Sequence, residues 1–304
     1  MSMDKPELVA AIQAVEQLDS PDASELLEVY ADFLQAAGDP RGTLAALQLR
    51  NIDGGKAADA WLAEHREQIL GPVAKLVRRP VVYEHWTAGW ITELSVDASP
   101  RHRERAPDLE VMLRLPACAC LRRLDAHWQH WPDAPDLPCR ASLRQLAIAA
   151  KSSDPLDFGE LPRLQSLTLH GCPSSLDIVA PNLRWLGFAR TQLGPIGELF
   201  DAGCTVERVS IEIPWVLIDP GDLAELLRHP FLATLRELEL SMEEWPYDDV
   251  LITPAPPDSV IEAIVEAAAL RQLEFRKFSG LGCWPEQRNR VLAAFASAPG
   301  QTYV

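Results

Sequence analysis

A six-residue phrase recurs eight times along the chain: an apolar residue, two variable ones, an apolar residue, one variable one and a last apolar residue. It reads Ile91-Thr-Glu-Leu94-Ser-Val96, Leu121-Arg-Arg-Leu124-Asp-Ala126, Leu143-Arg-Gln-Leu146-Ala-Ile148, Leu164-Gln-Ser-Leu167-Thr-Leu169, Leu183-Arg-Trp-Leu186-Gly-Phe188, Val206-Glu-Arg-Val209-Ser-Ile211, Leu235-Arg-Glu-Leu238-Glu-Leu240 and Leu270-Arg-Gln-Leu273-Glu-Phe275. The second half of each phrase has the two-residue period of a half-buried strand. One such strand cannot bury its apolar side alone, so the repetition predicts an array in which neighbours cover one another.

The spacing of the repeats tests that reading. From Leu121 the starts advance by 22, 21, 19 and 23 residues to Leu143, Leu164, Leu183 and Val206. These steps lie inside or beside the range of about 20–29 residues expected of leucine-rich repeats. Outside this stretch they lengthen, to 30 between Ile91 and Leu121, 29 between Val206 and Leu235, and 35 between Leu235 and Leu270. The longest gap holds a proline-bracketed segment from Trp245 to Pro257 and then a helical stripe of Val260, Ile261, Ile264 and Val265. Asp222–Leu227 and Leu109–Leu115 are predicted as further helices on the outer side. An asparagine or cysteine three residues past the phrase occurs directly only at Cys172, with Thr191 a weaker match, so the repeats are degenerate.

Before the phrases the period is helical. Leu8, Ile12, Val15 and Leu18 recur at three- and four-residue steps, and Ser20-Pro21-Asp22 offers a stop and a fresh start. Leu26, Leu27, Tyr30 and Leu34 form a second stripe, ended by Gly38-Asp39-Pro40-Arg41-Gly42, where proline and glycine favour a turn. A third helix is expected through Leu44, Leu47 and Leu49, and a fourth from Trp61 to Leu70, closed by Gly71-Pro72. The expected fold is therefore α/β: a helical cap over residues 1–88, then over 89–304 a leucine-rich-repeat-like solenoid with a parallel concave sheet.

Tyr30-Ala-Asp-Phe33-Leu34, Gly38-Asp-Pro-Arg-Gly42 and Leu47-Gln48 resemble the repeat-companion domain that precedes leucine-rich-type repeats in many bacterial proteins. The resemblance continues through Trp61, Leu70-Gly71-Pro72 and Gly89-Trp90-Ile91, spanning about residues 8–96. It implies a helical cap on a repeat array and brings no known biochemical role with it.

Composition narrows the function classes. At 47% hydrophobic and 24% charged, the 304 residues can fill a core, yet no uncharged run approaches the roughly 18 apolar residues of a membrane span. The opening Met-Ser-Met-Asp-Lys-Pro lacks the order of a secretory signal, so a cytoplasmic protein is expected. Net charge is −16, and residues 201–304 hold 17 acidic against 8 basic side chains, which argues against nucleic acid as a partner. Six cysteines without a Cys-x-x-Cys pair suit small buried side chains rather than a disulfide scaffold.

Side chains alternate across a strand, so the variable positions define outward rows. One runs Glu93, Arg123, Gln145, Ser166, Trp185, Arg208, Glu237, Gln272; the next Ser95, Asp125, Ala147, Thr168, Gly187, Ser210, Glu239, Glu274; the third Asp97, His127, Ala149, His170, Ala189, Glu212, Ser241, Arg276. The candidate binding face is Arg123, Asp125 and His127 at one side, Thr168, His170 and Trp185 over small residues in the middle, and Arg208, Glu212, Glu237, Glu239 and Glu274 at the acidic side. Trp185 has the makings of an anchor for a partner protein, basic or mixed in charge; equally, it can simply cover its small neighbours. The second phrase position is arginine five times (Arg122, Arg144, Arg184, Arg236, Arg271), a ladder that needs carboxylates or an anionic partner between its rungs.

Catalytic signatures are missing. No phosphate-cradling glycine loop, nucleophile elbow or His-Glu-x-x-His helix occurs. The chain as given runs about thirty residues past the last phrase, too few for the catalytic domain that follows such repeats in some bacterial ubiquitin ligases. The expectation is a non-enzymatic scaffold without cofactor or metal. Its rivals are a metal-dependent or other enzyme built on Asp125, His127 and His130, and a cap that itself carries the function.

Overall fold

The structure is a computed structural model. It describes residues 5–18, 20–50, 55–75, 77, 81–99, 101, 102, 104, 106–150, 155–189, 193, 196, 197, 199, 206–212, 218–241, 258–279 and 284–303. Mixed α/β structure with a mostly parallel sheet follows an N-terminal helical region. The chain divides into two compact units: residues 1–148 with 158–164 and 178–182, and residues 149–157 with 165–177 and 183–304.

In the first unit the helices are α1 (Lys5–Ala14), α2 (Pro21–Ala36), α3 (Pro40–Arg50) and α4 (Lys56–Leu70). Ser20 caps α2 by accepting from the Ala23 amide, with Pro21 at the first helical position, where its missing N–H is no loss. Leu8, Ile12, Leu27, Tyr30 and Leu34 are buried in one core. Residues 82–96, which the phrase pattern reads as a strand only from Ile91, form a hairpin of β1 (Val82–Thr87) antiparallel to β2 (Trp90–Val96). Its two-residue turn, Ala88 (φ 48°) and Gly89 (φ 80°), has both residues in the left-handed region, the turn that suits the twist of paired strands.

The Gly38–Gly42 segment joins α2 to α3 and seats them on this hairpin. Arg41 is 5% exposed and grips Asp39, with Nη2 to Oδ2 at 2.6 Å and Nε to Oδ1 at 3.1 Å. Its guanidinium lies 5.6 Å from the Trp90 ring centroid, and Trp90 stacks on Tyr30 at 4.6 Å. A Cβ on Gly42 would stand 2.5 Å from the Gln35 nitrogen, and one on Gly89 2.7 Å from the Arg41 carbonyl oxygen, so the close backbone approach needs glycine at both places. Gln48 finishes the junction: it accepts from the Gly89 amide at 2.9 Å and donates to the Trp86 carbonyl at 3.0 Å.

After α5 (Leu109–Leu113), the unit continues with β3 (Arg123–His130), parallel to β2, and β4 (Gln145–Ala149), in the order β1-β2-β3-β4. Two strands the phrases do not announce, β5 (Pro155–Glu160) and β7 (Ser175–Val179), pair as a separate sheet.

The second unit holds β6 (Ser166–His170), β8 (Trp185–Ala189), β9 (Arg208–Glu212), α6 (Pro220–Leu226), β10 (Glu237–Ser241), α7 (Asp258–Glu266), β11 (Phe275–Ser279), α8 (Pro285–Phe295) and β12 (Gln301–Tyr303). Its strands are parallel in the order β6-β8-β9-β10-β11-β12. The expected helices at 109, 222 and 260 occur as α5, α6 and α7; the Trp245–Pro257 segment and Thr191 lie outside the described residues.

Register corrects the last phrase. Leu238 pairs with Arg276 and Leu240 with Phe278, so the strand reads Leu273-Glu-Phe-Arg276-Lys-Phe278, three residues later than Leu270-Arg-Gln-Leu273-Glu-Phe275. The ambiguity has a physical source. A buried residue three positions before the phrase closes a tight turn onto its first residue: Leu121 N donates to Cys118 O, Leu164 N to Leu161 O, Leu235 N to Leu232 O, and Leu273 N to Leu270 O. Leu270 is this turn residue, so Leu-x-x-Leu fits the phrase in two frames. Hydropathy favours the wrong one, because the right one puts an arginine at a core position.

Candidate functional site

Two outward rows of the second unit are in register on one side of its sheet. Trp185, Arg208, Glu237, Phe275 and Gln301 stand in sequence across β8 to β12, and Gly187, Ser210, Glu239, Lys277 and Tyr303 form the next row. The middle core residues Leu186, Val209 and Leu238 are all at most 1% exposed; burial alternates along β9 and β10, while on β8 the small residues Gly187 and Ala189 are buried as well.

Trp185 is half-buried and folded along its own strand. A Cβ on Gly187 would lie 3.0 Å from the Trp185 Cη2 atom and 3.2 Å from Thr168 Oγ1, so the indole occupies the space a side chain at 187 would take. Gly187 is buried beneath it, and Ala189 is 4% exposed. Thr168 and His170 are half-buried on β6. The small-residue floor beside Trp185 is thus present in this unit, with the indole lying over it.

Two of the four carboxylates of the expected acidic side are paired with cations. Arg208 Nη2 meets Glu237 Oε1 at 3.0 Å, and Lys277 Nζ pairs with Glu239. Glu274 is not in the row: the three-residue shift sets it at the exposed entrance to β11, where its carbonyl accepts from the Gln301 amide, and Lys277 stands beside Glu239 in its place. The same shift removes Gln272 from the first row and turns Arg276 from the third row into the core. Glu212 is half-buried at the end of β9.

In the first unit Arg123 and Asp125 face outward on β3 beside Glu93 and Ser95 of β2. With Tyr83 (44% exposed) they line an open depression of about 290 Å³. A larger one, about 480 Å³, lies between α4 and β1, where Arg66 bridges Glu84 at 2.5 Å and the Val77 carbonyl at 2.7 Å. The side chain of His127 lies outside the described residues, and His130 is exposed at the end of β3. Five positions apart on one strand, Asp125 and His130 alternate to opposite faces. Among the described residues no three His, Cys, Asp or Glu side chains are grouped to hold a metal ion.

The arginine ladder has a use in the first unit that charge counting does not anticipate. Arg122 donates to the carbonyls of Val15 (2.7 Å) and Glu16 (2.5 Å), and Arg144 to Val15 (3.0 Å). Both rungs therefore cap the C-terminal end of α1, where free carbonyls and the helix dipole favour cations. Gln13 secures the same helix through the Ala119 and Pro138 carbonyls. Arg184, Arg236 and Arg271 are exposed.

Cys118, Cys120 and Cys139 are buried free thiols and Cys172 is buried; Cys204 and Cys283 lie outside the described residues. Burial pushes the Cys120 and Cys139 thiols up to about 12 and Cys118 further still, so the neutral thiol is favoured at all three. No described helix is long and apolar enough to cross a membrane. No protein-family model, curated protein or solved structure matches the chain.

Proposed function

We propose that the chain is a non-enzymatic, cytoplasmic scaffold: a leucine-rich-repeat-like solenoid behind a repeat-companion-type helical cap, binding a partner protein on the outward face of the second unit. The observation that carries this reading is the register of Trp185 with Arg208, Glu237 and Phe275, which lines up partly exposed aromatic and charged side chains on adjacent strands. A broad, shallow row of this kind suits a protein surface better than a metabolite, for which an enclosing pocket is the rule. Trp185 is the proposed anchor, since a large aromatic over a small-residue floor gains contact area at low entropic cost. The ion pairs Arg208–Glu237 and Lys277–Glu239 redirect the partner expectation from a basic protein toward one of mixed charge.

The test is affinity capture from an extract of the native host on immobilised wild-type protein, Trp185→Ala and Gln165→Ala, the last an exposed residue between strands. Wild type and Gln165→Ala should retain the same protein, and Trp185→Ala at least tenfold less. Equal retention on all three, or no specific retention on wild type, overturns the reading.

A further inference from the structure

The last strand of the second unit is held in an unusual way. β12 has three residues, Gln301–Tyr303, with an exposed, half-buried, exposed pattern, so little apolar burial fastens it. Its backbone joins β11 through the Gln301 amide, which donates to the Glu274 carbonyl at 2.9 Å, and through the parallel pairing of Phe275 to Lys277 with Gln301 to Tyr303. On the face, Tyr303 touches Phe275 with ring centroids 5.2 Å apart, yet remains 51% exposed.

Beneath the strand lies Arg276. It is 0% exposed, at the register position that Leu186, Val209 and Leu238 fill on the neighbouring strands. No carboxylate pairs with it among the described residues. Nη1 donates to the Leu270 carbonyl at 2.9 Å, Nη2 to the Leu273 carbonyl at 3.2 Å and to the Pro299 carbonyl, and the guanidinium lies 5.2 Å from the Phe295 ring centroid. Two of these acceptors belong to the turn before β11. The third, Pro299, belongs to the segment that leads into β12, so one charged group ties the incoming chain to the turn it must follow. Gly300 completes the joint: at φ 82° it takes a conformation that other residues resist, and a Cβ there would stand 2.2 Å from the Leu273 carbonyl oxygen.

We propose that β12 is a detachable strap over the edge of β11, and that Arg276 is the pin that keeps it closed. An arginine at this core position is costly when a leucine would serve, because burying an unpaired charge is tolerated only where several hydrogen bonds answer it. What it does that leucine cannot is reach the Pro299 carbonyl. The fold of β6 to β11 needs only an apolar residue at 276; closure of the strap needs the guanidinium. Opening bares the backbone donors and acceptors of β11, an edge that can pair with another extended chain.

Amide hydrogen exchange on the full chain tests this, with Arg276→Leu and Arg276→Lys beside wild type. In Arg276→Leu the amides of Gln301 and Tyr303, the two of β12 that face β11, should exchange at least tenfold faster, while those of Leu238 and Leu240 in β10 stay as protected as in wild type. Arg276→Lys should fall between, since one ammonium cannot span three carbonyls in the fork geometry of a guanidinium. Unchanged exchange at Gln301 and Tyr303 in Arg276→Leu overturns the pin. So does an equal loss of protection in β10 and β12, which would make Arg276 a member of the core instead.

Discussion

Arg41 in the first unit and Arg276 in the second are both buried arginines, 5% and 0% exposed, and both lie against an aromatic ring, Trp90 at 5.6 Å and Phe295 at 5.2 Å. They differ in what answers the charge. Arg41 holds a carboxylate two residues away, inside its own turn. Arg276 has only carbonyls, and one of them, Pro299, is 23 residues further along the chain. The first arrangement stabilises a junction that the helices and hairpin already favour. The second stakes the closure of a short strand on one side chain. A buried arginine is thus part of a foundation where all its partners are local and a fastening where one of them is remote.

Replacing the two arginines should separate them. Arg41→Leu takes the guanidinium away from the Trp90 ring and from Asp39, which keeps the residue-41 backbone amide. With Asp39 a quarter exposed, the loss of about 3–5 kcal/mol on breaking a buried pair is the upper bound, and a loss of about 2–3 kcal/mol is expected. Arg276→Leu should change the free energy of unfolding by no more than about 1 kcal/mol, because the desolvation cost of the buried guanidinium and the apolar packing regained by leucine offset the carbonyl hydrogen bonds lost. Urea titrations of both variants check this. Equal losses would mean that both arginines serve the same purpose.

A second expected difference is alkaline sensitivity in the first unit, where Cys118, Cys120, Cys139 and Tyr30 are all raised chiefly by burial. Their neutral forms are favoured in the folded state, so the stability they add is complete below the unfolded thiol value near pH 8.5 and is lost as pH rises above it. By pH 10 each thiol should have withdrawn roughly 1–2 kcal/mol. Urea titrations at pH 8 and pH 10 should show the fall, and mass-resolved alkylation at pH 8 should find these three cysteines inert until the protein unfolds. Rapid alkylation of the native chain would contradict the burial.

The smallest effect belongs to the exposed pairs. Glu237→Gln removes the partner of Arg208, whose side chain is 53% exposed, and exposed pairs contribute about 0.2–1 kcal/mol. Thermal unfolding should barely move. A larger shift would show the outward row to be part of the core.

Much of the fold was legible because its signals are local. Ser20-Pro21 marks a helix start, Gly38 to Gly42 a forced turn, and the phrase triplets Leu164, Leu167, Leu169 and Leu235, Leu238, Leu240 are buried as read. What escaped has several sources, of which distance along the chain is only one. β1 alternates weakly, and its pairing with β2 rests on the Ala88-Gly89 turn, which reads as a mere entry to the strand. The last phrase slipped by three because Leu270 and Leu273 are both buried and hydropathy cannot accept Arg276 in the core. That slip carried Glu274 into the candidate face and left Lys277 out. The use of Arg122 and Arg144 on α1 was hidden by distance, since the carbonyls of residues 15 and 16 are more than a hundred positions away.

Residues 185 and 186 offer the most direct test of the central claim, that alternate positions of one strand divide between core and binding face. The measurement is the unfolding free energy of Trp185→Ala and Leu186→Ala, taken with the affinity of each for the captured partner at a temperature where both are folded. Leu186, fully buried, should lose about 2–5 kcal/mol of stability to its cavity and keep its affinity within about threefold. Trp185→Ala should lose less than about 1 kcal/mol of stability and about 2 kcal/mol or more of binding. If Trp185→Ala unfolds as readily as Leu186→Ala and binds as tightly as wild type, the indole is a lid on Gly187 and nothing more, and the proposed face is wrong.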